Sequence, residues 1–226
     1  MAGFVSPPPR RTGPAEKTCF EVEKAFLQGY SLGTMLPPTA LAGQVAGLPI
    51  DLHPFVWEGV GAALADQPEA AEHLKNPLWK TFFEIGRGIA ASSGDQPPTG
   101  GWALEGFGYG VALYRSRQLS SFARSPAFDH GVGRALWLQC GGDPAHARRL
   151  LRLAPEAAHA WRWRGLGFAA IFVGGGAEHR VELLRLGAAP HGSQVEEGAR
   201  QGRALRMLWR GGSATLGVWP WEVSDG

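Results

Sequence analysis

Four short stretches of this chain place a titratable side chain directly before a pair of glycines. They are Glu58 in WEGVGAAL (57–64), Glu105 in LEGFGYGVAL (104–113), His130 behind Asp129 in DHGVGRAL (129–136), and Arg164 in WRGLGFAAIF (163–172). Two carboxylates, an imidazole and a guanidinium are the ingredients of acid/base chemistry. In that reading Glu58 and Glu105 move protons, His130 partners them with Asp129 orienting its ring, and Arg164 anchors an anion or carboxylate. A second reading uses the same residues as a polar network that fixes helix register, because buried charges persist only when paired or hydrogen-bonded. Both readings need the glycines to bring the four stretches together.

The glycines do not read as a phosphate-binding loop. No stretch completes G-x-G-x-x-G, none follows a convincing strand, and none carries the lysine of a nucleotide-binding loop. Each instead pairs its first glycine with a small residue four positions on: Gly59 with Ala63, Gly106 with Gly110, Gly131 with Ala135, Gly165 with Ala169. Residues four apart stack on one side of a helix, so these spacings predict helices thin enough for a partner backbone to touch. The stretches also recur in order. Gly59 and Gly61 return 72 residues later as Gly131 and Gly133, and Gly106 and Gly108 return 59 residues later as Gly165 and Gly167. That order predicts an internal duplication, about 53–117 and 127–187, with the thin faces packed around a pseudo-twofold axis.

Stepping outward, the elements that must position these residues read as helices almost throughout. Apolar spacing and Gly/Pro punctuation predict helices at about 15–28 (closed by Gly29), 53–66, 77–92, 101–117, 127–140, 143–152, 155–174, 177–187 and 193–210. Asp143-Pro144 supplies a cap and a first-turn proline, and Pro155 opens another helix. GDQPPTGG (94–101) is the clearest loop. The fold class is all-α: one domain over 15–212, a proline-rich tail at 1–14 expected to be disordered, and a C-terminal tail at 213–226. That last tail reads as a short edge strand or an extended segment packing its two tryptophans.

Composition narrows the function classes. The chain has 226 residues, 44% hydrophobic and 19% charged, which describes a globular protein. A formal net charge of +2 gives no argument for nucleic acid or an anionic membrane. Arg148, Arg149, Arg152, Arg162 and Arg164 read as a solvated helix face. The apolar, uncharged run Gly165 to Ala177 falls short of the ~20 residues of a membrane span. Cys19 and Cys140 have no metal-ligand spacing and suit a reduced, cytoplasmic setting, and the N-terminus lacks a charged-then-apolar leader pattern. The remaining histidines (His53, His73, His146, His159, His179, His191) form no zinc or iron pattern, and no cofactor or metal is expected. Trp57, Trp79, Trp102, Trp137, Trp161, Trp163 and Trp209 sit at helical positions and read as core, with a tryptophan-lined cavity as the alternative.

Taken in order, AFLQGYSLGT (25–34), FVWEGVGAALA (55–65), GWALEGFGYGVALY (101–114), FDHGVGRALWL (128–138), WRWRGLGFAAIFVGG (161–175) and EEGARQGRAL (196–205) resemble the bacterial domain-of-unknown-function family 1702 over about residues 20–210. Members of that family recur in biosynthetic clusters for enediyne polyketides. The resemblance implies a role in maturing a linear polyene into a compact core; it transfers no catalytic residues. The expectation is therefore a natural-product biosynthesis protein that acts on or shelters a hydrophobic intermediate. As an enzyme it would be a cofactor-free isomerase, cyclase or lyase. The reading from a different class is a non-catalytic scaffold for a partner enzyme or carrier protein of a polyketide pathway. Oligomeric state stays open, a homodimer included.

Overall fold

A computed structural model describes residues 16–174, 178–214 and Trp219. The proline-rich tail and most of the C-terminal segment lie outside the described residues. Among those described, the regular structure is entirely helical: α1 (Glu16–Met35), α2 (Pro38–Ala46), α3 (His53–Ala63), α4 (Pro77–Ala91), α5 (Gly101–Tyr114), α6 (Pro126–Gln139), α7 (Pro144–Leu151), α8 (Glu156–Phe172), α9 (Glu178–Gly187) and α10 (Gly192–Trp209). Short 3₁₀ turns at Ile50–Leu52, Pro68–His73 and Ser116–Ser121 join some of them.

The starts follow capping chemistry. Asn76, Ser125 and Asp143 each accept a backbone N–H of the first turn, and a proline follows each as the first helical residue. Two expectations are corrected. Gly29 does not close α1, which runs on to Met35. α2 lies outside the expected helices; its PTALAGQVA starts on proline and carries an internal glycine.

The central helices pack in a row, α1–α3–α4–α5–α6–α8–α10, each touching mainly the one before and the one after. One geometric rule explains this. Residues two apart lie about 200° apart around a helix, so a G-x-G pair leaves bare backbone on two opposite sides. At each junction two glycines face each other: Gly29 with Gly59, Gly61 with Gly86, Gly88 with Gly106, Gly108 with Gly131, Gly133 with Gly165, and Gly167 with Gly198. In all six pairs a Cβ on either glycine would overlap the carbonyl of the residue three before its partner; Gly108 meets Phe128, and Gly131 meets Glu105. That reciprocal offset holds only for antiparallel helices. The row therefore runs up and down, and Gly29 is a contact position, not a stop.

Glycine contacts recur helix by helix along this row. α4 carries a fifth pair, Gly86 and Gly88 in EIGRGIA, that the sequence pattern passed over.

The row also bends. Phe172 of α8 stacks on Phe82 of α4 and tilts against Phe55 of α3, while Trp209 of α10 meets Phe82 edge-on. Arg210 bonds Asp51 across the same gap. The curvature creates an inner face. On each glycine helix that face takes the residue before the first glycine and the residue three after it. Cys19 and Cys140 are both buried.

Candidate functional site

The inner-face rule gathers Glu58 from α3, Glu105 and Tyr109 from α5, His130 and Arg134 from α6, and Phe168 from α8. The centre is Arg134, a residue the motif reading did not single out. Its Nη1 donates to both oxygens of Glu105 at 3.0 and 2.9 Å, and its Nη2 donates to Glu58 Oε1 at 2.7 Å. Its guanidinium carbon lies 5.2 Å from the ring centre of Tyr109 and 5.5 Å from that of Phe168. Charge–carboxylate bonds and ring faces together hold the guanidinium in one plane. His130 Nδ1 sits 3.2 Å from Glu105 Oε1. All four polar residues are buried, none more than 2% exposed.

The surroundings are aromatic. The His130 ring lies edge-on to Phe168 and to Trp219, and Trp219 in turn packs edge-on to Trp102. Water is largely excluded here, so charges act on each other strongly.

One guanidinium serves two carboxylates, and they respond differently. Burial pushes Glu58 up, and Arg134 only partly opposes it, so its carboxyl holds its proton above the usual range. Burial alone would raise Glu105 as well. There the Arg134 charge and the His130 contact win, and the carboxyl stays below its ordinary value. Burial lowers His130, with Glu105 opposing in part, so the imidazole is neutral. Burial would lower Arg134, but the two carboxylates more than reverse this and it remains charged. A charged Glu105 accepting from Nδ1 fixes the tautomer of His130, leaving Nε2 as its basic nitrogen.

Of the five residues expected to share a site, the structure joins Glu58, Glu105 and His130. Asp129 does not orient His130. One residue along a helix is about 100° around it, and Asp129 points away from the inner face to accept from Arg162 Nε at 2.8 Å and from Arg124 Nη2 at 2.8 Å. Arg164 is no spare anchor either: it donates to Gln201 at 3.0 Å and Glu197 at 2.9 Å while lying over the Trp161 ring. Arg162 and Arg164 are buried, which corrects their reading as a solvated face. Trp57 and Trp137 are fully buried core, as expected. Among the described residues no group of three His, Cys, Asp or Glu side chains is placed to hold a metal ion. No described helix is long and apolar enough to cross a membrane.

The model of the family described as "Protein of unknown function (DUF1702)" matches residues 70–208, well over half of the chain. The chain belongs to this family. No curated protein and no solved structure matches it. The DUF1702 match begins after α3. Glu105, His130 and Arg134 thus fall inside the family segment, while Glu58 reaches them from a helix that precedes it.

Proposed function

We propose that the protein acts on an apolar biosynthetic intermediate by proton transfer, as part of natural-product assembly of the enediyne-polyketide kind that its family resemblance suggests. One observation carries the reading: two carboxyls share a single buried guanidinium, one pushed above the ordinary carboxyl pKa and the other held below it. Environments that push paired groups apart in this way separate an acid from a base. Glu58 is the acid. His130, oriented by Glu105, is the base. Removal of a C–H proton by His130 Nε2 and donation of a proton by Glu58 at the far end of a conjugated system moves a double bond or closes a ring. No electrons are gained or lost, and passage of the proton taken up by His130 to Glu58 restores both residues for the next turnover.

The test is replacement in the host. Deleting the gene should accumulate an intermediate visible by mass spectrometry. Complementation with Glu58→Gln, which copies the shape of the neutral acid but has no proton to give, should fail while the purified variant melts at or above the wild-type temperature at pH 7. Undiminished product from Glu58→Gln, or a loss of product that tracks a falling melting temperature, would remove the catalytic reading. A binding or scaffold role has one observation in its favour: Phe20, Leu27 and Met35 are exposed along α1 at 56%, 52% and 79%. Alanines at these three sites should then abolish product where Glu58→Gln does not.

A further inference from the structure

The cluster also restricts what it can bind. Both Nη groups of Arg134 are committed to Glu58 and Glu105, and the rings of Tyr109 and Phe168 hold its plane. Its Nε–H is buried and finds no acceptor among the described residues. A buried donor without an acceptor is rare and unfavourable, and a ligand oxygen would satisfy it.

Charge decides which oxygen. The neighbouring guanidinium groups are spoken for: Arg164 by Gln201 and Glu197, Arg162 by Asp129. Two carboxyls already share Arg134, so an incoming anion would enter a dry site with no cation left to meet it. An ammonium group fails for a different reason, because it has three donors and no lone pair to offer the Nε–H. The edges and faces of Phe168, Trp219 and Trp102 nearby suit a hydrocarbon body.

We infer that Arg134 makes the inner face selective for a neutral, oxygen-bearing apolar compound, an alcohol, ether or carbonyl, over the corresponding carboxylate or amine. This rests on the proposed function, which has an apolar compound reaching the cluster, and it adds the substrate class.

The test uses one ten-carbon skeleton with three head groups. Geraniol, geranate and geranylamine are titrated into the purified protein at pH 7.5, with tryptophan fluorescence and calorimetry as readouts. Geraniol should bind at least tenfold more tightly than either charged analogue. Geranate or geranylamine binding as tightly as geraniol overturns the inference while leaving the apolar-ligand reading intact. Absence of binding by all three counts against that reading, and the inference falls with it. A variant sharpens the result. Glu105→Gln removes the carboxylate that most fully neutralises Arg134, so the preference for geraniol over geranate should shrink several-fold or reverse. An unchanged preference in folded Glu105→Gln means that the cluster does not set selectivity. Where Glu105→Gln does not fold, the wild-type ranking alone decides.

Discussion

Helix α6 carries two buried ionic clusters on adjacent residues, and they are built on opposite plans. Asp129, on the outward side, is one carboxylate between two guanidinium groups, and one of these, Arg124, keeps 29% of its side chain exposed. Positive charge is in excess there and water is within reach. The cluster ties the start of α6 to the preceding turn and to α8, as a structural clasp does. On the inward side the ratio is reversed: Arg134 alone faces Glu58 and Glu105, all of them sealed. Excess negative charge in a dry place raises the pKa of a carboxyl. Both clusters hold helices together, and the inner one also pushes one of its carboxyls, Glu58, above its ordinary pKa. Charge balance, more than the presence of charged residues, distinguishes the two clusters.

The largest expected effect destroys both clusters at once. Gly131→Leu, and even Gly131→Ala, places a Cβ against the Glu105 carbonyl and the Tyr109 amide of α5. Backbone atoms in a packed helix cannot step aside, so overpacking should cost about 3 kcal/mol or more. Little folded protein should be recoverable by circular dichroism and size-exclusion chromatography; a melting temperature near wild type would refute the glycine contact.

The next substitutions set the clusters against each other. Arg134→Met leaves Glu105 and Glu58 buried without a cation and should cost about 3–5 kcal/mol in urea unfolding. Arg124→Met leaves Asp129 still bonded to Arg162 and costs under about 1 kcal/mol. Equal losses would erase the distinction between the two faces.

Much of this contrast was legible in the chain. Glu58, Glu105 and His130 stood out because each precedes a glycine pair, and the structure places all three on one face. Arg134 was missed although it lies one helical turn beyond His130; reading three positions past each first glycine would have found it. Asp129 and Arg164 were misplaced, the first because adjacency in sequence is not adjacency around a helix. The second occupies an inner-face position but is drawn off by Glu197 and Gln201, partners 33 and 37 residues later that no local pattern marks. The α4 pair escaped notice because Ile85, and not a charge, precedes Gly86.

The smallest expected effect is a change in pH dependence. Glu58 has a folded pKa above its ordinary value near 4.5. Its contribution to stability is therefore complete below that value and is lost as pH rises through the folded pKa. His130 is shifted below 6.5 and Glu105 below 4.5, so their contributions are present above those values and are lost as pH falls through the folded pKa values. Glu58→Gln should thus gain on wild type in melting temperature as pH rises from about 5 to 9, while both proteins weaken together as pH drops below about 6.5. Parallel curves across the whole range would show that Glu58 is ionised in the folded protein.

The glycine ladder has a kinetic corollary. Each junction joins helices that are neighbours along the row, so most contacts close short loops and helices can dock one after another, as repeats do in a one-dimensional array. The bridge from Arg134 to Glu58 spans 76 residues and needs three helices already seated. The pair can therefore form only once α3, α4, α5 and α6 have docked.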